Sequence, residues 1–159
     1  YNVPGRTGVS CTPEHYARLA EIPRINGVKE ASGDISLVSR TRYLCGDALN
    51  IWSGNDDQTL PILALGAKGV ISVASNIVPQ VTATLCAAAL SGDFFTARAI
   101  HEAYAGLFDA LFYEVNPIPV KTAMQMLGWD SGRLRLPLCP MAEGNAAKLQ
   151  NCLESLQLL

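Results

Sequence analysis

Histidine is scarce, charge is sparse, and long apolar runs are missing. The chain of 159 residues contains two histidines, and Asp, Glu, Lys and Arg together make up only 16% of it. No uninterrupted apolar stretch approaches the ~18 residues of a membrane-spanning helix. No basic-then-apolar leader opens the sequence. The five cysteines, Cys11, Cys45, Cys86, Cys139 and Cys152, are odd in number and widely spaced, and none forms a CxxC pair. That pattern gives zinc no ligand set, and no other metal constellation is visible. Without an export signal the cysteines read as free thiols of a cytoplasmic protein. Neither sign of charge dominates: the net charge is -2 and the pI about 5.6. A disordered acidic tail and a strongly basic nucleic-acid binder are excluded as classes. No initiating Met is present, and Tyr1-Asn2-Val3-Pro4 reads as the end of a strand, so an upstream segment is expected.

What is present is a repeated unit of short apolar strand followed by amphipathic helix. Val3 closes a first strand fragment, and Thr12-Pro13-Glu14 carries the signals of a helix start, predicting a helix to about Ile22. Strands are predicted over Ile25 to Ala31, Leu49 to Ser53 and Gly69 to Val73. The helices between them run from Ser32-Gly33-Asp34 to Leu44 and from Gly54-Asn55-Asp56 to Leu65. An Ala-rich helix then ends at Ser91-Gly92. Beyond it the pattern is helical only: Asp93 to Glu114, Val120 to Leu127 after the Asn116-Pro117-Ile118-Pro119 break, and Glu143 to Leu158.

Four strands alternating with helices predict an α/β fold with a parallel sheet. A doubly wound sheet shares that order, but no glycine-rich dinucleotide fingerprint follows any strand. Polar residues gather where strands end and helices begin (Arg6-Thr7, Ser32, Ser53 to Asn55, Ser75-Asn76), the rim that carries active sites in barrels. A complete (β/α)8 TIM barrel needs eight units and about 250 residues. The expectation is therefore half a barrel over residues 1–92 and a helical region over 93–159.

Lys29 is the sharpest chemical feature. Alternation places Ile25, Gly27, Lys29 and Ala31 on one strand face. If that face lines a packed interior, desolvation disfavours the ammonium, and a neutral amine can attack a ketone. Gly27, one layer below, would leave room for a substrate. The pattern equally allows a lysine that snorkels from a strand end to solvent. Tyr1 lies on the same rim as a proton donor and acceptor or as a packing residue. Arg6, in a Gly-rich turn, is a carboxylate clamp or a solvated loop arginine. Gly54 and Gly69 lie at strand ends, where turn geometry alone could explain them. Ile71 is expected to face the barrel interior. Asp56-Asp57 is explained by the helix dipole, and His15 and His101 receive no role.

Several motifs then resemble one family. Tyr1-Asn2-Val3-Pro4-Gly5-Arg6-Thr7-Gly8 looks like the tyrosine motif of the dihydrodipicolinate synthase family. Gly27-Val28-Lys29-Glu30-Ala31-Ser32-Gly33-Asp34 resembles its Schiff-base lysine motif. Gly66 to Val73 resembles its last barrel strand, and Asn116 to Lys121 and Leu134 to Leu138 its C-terminal helical region. The separation of 28 positions between Tyr1 and Lys29 also fits.

The resemblance implies the C-terminal half of a (β/α)8 barrel, units five to eight, with Lys29 as the covalent nucleophile. It implies condensation of pyruvate with aspartate semialdehyde to 4-hydroxy-tetrahydrodipicolinate, in lysine and diaminopimelate biosynthesis, with no cofactor beyond the covalent imine. It further implies Tyr1 as proton relay, Arg6 as carboxylate holder, Ile71 as a backbone contact to pyruvate, and Gly54 lining the pocket. A homotetramer is the implied assembly. The superfamily's N-acetylneuraminate and keto-deoxy-sugar lyases share the Tyr and Lys. They do not usually carry Arg at the place of Arg6, which favours the synthase. The implied first four units would carry the glycine-threonine loop and a second tyrosine, so an inactive half-barrel is the other reading.

Overall fold

Each strand in this chain is short, and its neighbours supply what it lacks. The computed structural model describes residues 1–159. After a one-turn helix α1 (Pro4–Thr7) come α2 (Pro13–Ala20), β1 (Gly27–Glu30), α3 (Ile35–Cys45), β2 (Asn50–Ser53), α4 (Thr59–Ala64), β3 (Gly69–Val70) and α5 (Pro79–Leu90). The helical region follows as α6 (Phe94–Ala110), α7 (Ile118–Met126) and α8 (Glu143–Ser155).

The sheet is parallel and ordered β1-β2-β3. A fourth segment extends it, because Asn2 forms a parallel bridge to Glu30. Spatial order thus follows chain order across all four segments, with no reversal of the kind a doubly wound sheet makes at its switch point. The register sets Lys29 beside Trp52 and Trp52 beside Gly69. Val28 and Ile51 are buried in one hydrophobic cluster with Tyr16, Val38, Ile62 and Leu85. A second cluster gathers the helical region, with Leu107, Leu111, Leu149 and Leu153 wholly buried.

Helix starts follow local chemistry. Thr12 Oγ1 accepts from the His15 N–H, and His15 Nδ1 accepts from the Thr12 N–H, a reciprocal cap with histidine in the place usual for Glu or Gln. Asp34 caps α3 by accepting from the Leu37 N–H at 3.0 Å.

Some boundaries differ from the sequence reading. The strand expected over 69–73 has only two ladder residues, although the Ile71 N–H still donates to the Ser53 carbonyl at 2.8 Å. Ser72 Oγ then accepts from the Ser75 N–H, turning the chain out of the sheet. The helix expected over 54–65 splits into a 3-10 turn, Asp56–Gln58, and α4. The helix expected to reach Glu114 stops at Ala110, finishing in tighter bonds from Phe112 to Asp109 and from Tyr113 to Ala110. Glu114 is then free to cap α8, where its carboxylate accepts from the Ala142 N–H and the Asn145 amide.

Candidate active site

The site stands where the parallel segments end. Lys29 is the third residue of β1, and its Nζ lies over the Tyr1 ring, 4.3 Å from the centroid. Beside it is a cleft of about 380 Å³ whose lining includes Lys29, Ile71, Ser72, Asn116, Lys121 and Asp130. Lys121 and Asp130 form an ion pair in its wall, and Lys121 holds the Asp130 carboxyl below the usual carboxylate range.

The remaining expected positions converge here. A Cβ on Gly54 would lie 3.1 Å from Lys29 Cε and 2.6 Å from Ala31 Cβ, so only glycine leaves the lysine stem its present path. Arg6, on the one-turn α1, donates from Nη2 to the Asn116 carbonyl at 3.3 Å, tying the tyrosine segment to the cleft wall. The rim thus brings together Tyr1, Arg6, Lys29, Gly54 and Ile71.

On β1, Val28 and Glu30 are the buried positions, and Lys29, on the other face, lines the cleft. One expectation is corrected. The room expected beside Gly27 is filled: a Cβ there would meet Trp52 Cζ3 at 2.3 Å, since the indole from β2 lies across the glycine. Ile71 lines the same cleft as Lys29.

Sequence reasoning missed the buried acids. Glu30, opposite Lys29 in strand parity, is 3% exposed. Its carboxylate accepts from Tyr16 Oη at 2.7 Å, from the Asn2 amide at 3.0 and 3.2 Å, and from the Ser32 N–H at 2.8 Å. Burial and the hydrogen bond to Glu30 push the Tyr16 phenol well above the ordinary tyrosine range, so it stays a donor. An acid on the core-facing parity of a strand was the available signal. Asp56, read as a helix-dipole acid, is instead buried, and its Oδ2 accepts from the Val73 and Ala74 N–H groups at 2.9 and 3.0 Å. It fixes the chain just beyond Ile71. All five cysteines are free, and burial pushes the Cys45, Cys86 and Cys152 thiols up, away from the reactive thiolate.

Comparison with known proteins decides the family. A model of the dihydrodipicolinate synthetase family matches residues 1–156. This chain belongs to that family. It is 50% identical to the 4-hydroxy-tetrahydrodipicolinate synthase of Geobacter sulfurreducens, over all of this chain and 55% of the relative. It is 52% identical to that of Methanospirillum hungatei, over 96% of this chain and 53% of the relative. The crystal structure of dihydrodipicolinate synthase from Thermotoga maritima superposes with a TM-score of 0.97 at 45% identity, over all of this chain and 55% of that one. The chain therefore spans about half the length of the curated relatives it matches. Its strands and helices form part of this family's (β/α)8 barrel.

Proposed function

We propose that the protein to which this chain belongs is a Schiff-base lyase that condenses pyruvate with aspartate 4-semialdehyde to 4-hydroxy-tetrahydrodipicolinate. The observation that carries the reading is the Lys29 amine set 4.3 Å from the centre of the Tyr1 ring, beside an open cleft. The parallel segments in chain order, followed only by helices, support a placement as units five to eight of the barrel over residues 1–92. Residues 93–159 then form the C-terminal helical region, and assembly as a homotetramer belongs to the same proposal.

The Lys29 amine attacks the pyruvate ketone, and loss of water gives the imine. Removal of a methyl proton gives the enamine, whose carbon attacks the aldehyde of the second substrate. The amino group of that substrate then attacks the imine carbon, closing the ring and expelling the Lys29 amine. Tyr1 gives and takes protons at the nitrogen and oxygen of the attacked carbon. Arg6 offers its guanidinium to the carboxylate of the second substrate. The Ile71 backbone, held by the Ser53 carbonyl, contacts pyruvate, and Gly54 keeps the lysine stem clear. No metal or organic cofactor takes part in these steps.

Incubation with pyruvate, borohydride reduction and peptide mass analysis tests the proposal. The expected result is a stable adduct on the peptide containing Lys29, absent in Lys29→Ala and absent from Lys68, Lys121 and Lys148. If the full-length protein gives no adduct at Lys29, the proposal fails. An adduct on the full-length protein but not on this chain would mean that the half alone is inactive.

A further inference from the structure

We propose that Glu30, acting through Asn2 and Tyr16, is a positioning residue that holds the Tyr1 ring against the Lys29 amine. Its catalytic meaning rests on the lyase reading; its geometry stands independently. The Tyr1 ring lies against the Lys29 amine, 4.3 Å from Nζ to the centroid, and the backbone of Asn2 directly follows it. Two bonds attach that backbone to β1: the Asn2 N–H donates to the Lys29 carbonyl at 3.0 Å, and the Ala31 N–H donates to the Asn2 carbonyl at 2.9 Å.

Side chains supply the rest. Asn2 is 2% exposed, and its amide donates to both Glu30 oxygens while its Oδ1 accepts from the Cys11 N–H at 3.1 Å. Tyr16 Oη from α2 and the Ser32 N–H complete the shell around the carboxylate. The three donor residues come from three separate segments: the tyrosine segment, α2, and the loop after β1. No cation pairs with Glu30, so uncharged donors must satisfy a buried charge, and loss of any one is costly. Adjacent residues on an extended chain face opposite ways. Fixing Asn2 to Glu30 on the buried side therefore sets Tyr1 against Lys29 on the cleft side. An apolar residue in place of Glu30 could fill the core, but it could not gather those donors.

Two readouts test the clamp in the full-length protein. Proton NMR follows the ring-current shift of the Lys29 methylene next to Nζ, with Tyr1→Leu defining its absence. Borohydride trapping with pyruvate follows imine formation. Val38→Ala, a core substitution on α3 with no part in the network, serves as the stability control. In Glu30→Gln and Tyr16→Phe the ring-current shift is expected to collapse towards the Tyr1→Leu value, and trapping to slow by about tenfold or more. Val38→Ala should retain both. Should Glu30→Gln fail to fold, Tyr16→Phe decides, because it removes one donor and keeps the ring. An unchanged shift in the variants that fold overturns the clamp, as does an equal loss in Val38→Ala. If the full-length wild type forms no imine, the lyase reading falls, while the ring-current measurement still decides the clamp.

Discussion

Replacing Gly54 by alanine adds one methyl group at the tightest point beside the lysine. The new Cβ would sit 2.6 Å from Ala31 Cβ, 3.1 Å from the Glu30 carbonyl oxygen and 3.1 Å from Lys29 Cε. Carbon pairs rest at about 3.5–4.0 Å, so the first contact overlaps by about 1 Å. Gly54 does not occupy the left-handed region, and its N–H donates to the Glu30 carbonyl at 2.7 Å. The cost is therefore steric, with β1 pushed away from β2 at the level of the amine. Overpacking of this kind costs about 1–3 kcal/mol. At about 2–4 °C per kcal/mol for a chain of this size, Tm should fall by several degrees. The lysine stem must move as well, and pyruvate trapping should slow by about tenfold or more. Thermal unfolding by circular dichroism and the borohydride assay measure the two effects. An unchanged Tm with unchanged trapping would refute the reasoning, because the methyl group would then have found space that the structure does not contain.

Leu153 is 0% exposed in the helical-region core, and Leu153→Ala should cost about 2–5 kcal/mol in urea unfolding. The raised Tyr16 phenol predicts an alkaline effect. Above about pH 10 the unfolded chain loses that proton and the folded chain keeps it. Stability is therefore fully present below that pH and falls as pH rises, by about 1.4 kcal/mol per unit for this one group. Tyr16→Phe should remove that part of the slope in pH-dependent denaturant titrations. Arg6→Leu breaks only an exposed contact to the Asn116 carbonyl, so stability should hardly change. On the proposed lyase reading it should raise KM for the semialdehyde in the full-length protein by about tenfold to a hundredfold, the worth of a charge-assisted bond of about 1.5–3 kcal/mol. An equal rise for pyruvate would undo the assignment of Arg6.

The elements were legible where period and punctuation agreed. Thr12-Pro13 and Asp34 mark helix starts that the structure keeps. Strand centres at Lys29 and Ile51 were legible from short apolar runs between turn signals. Boundaries failed where a distant group took over. Glu114 leaves the expected helix to cap α8, and Asp56 takes the Val73 and Ala74 N–H groups where the last strand was expected to continue. At the site, Tyr1, Arg6 and Lys29 were legible as residue types at strand ends, yet their mutual distances were not. The Glu30 and Asp56 networks were missed because burial depends on which strand face the helices cover.

By itself the sequence determined the unit type, the order of strands and helices, and the placement of Lys29 and Tyr1 at strand ends, because these depend on local periodicity and on the chemistry of turns. Only the tertiary structure decided that Trp52 fills the space beside Gly27, that Gly54 lies against the Lys29 stem, and that a buried carboxylate ties the tyrosine segment to the lysine strand. Each of those facts is a contact between residues distant in the chain, set by parallel register and by which face is covered, and neither is encoded in local spacing.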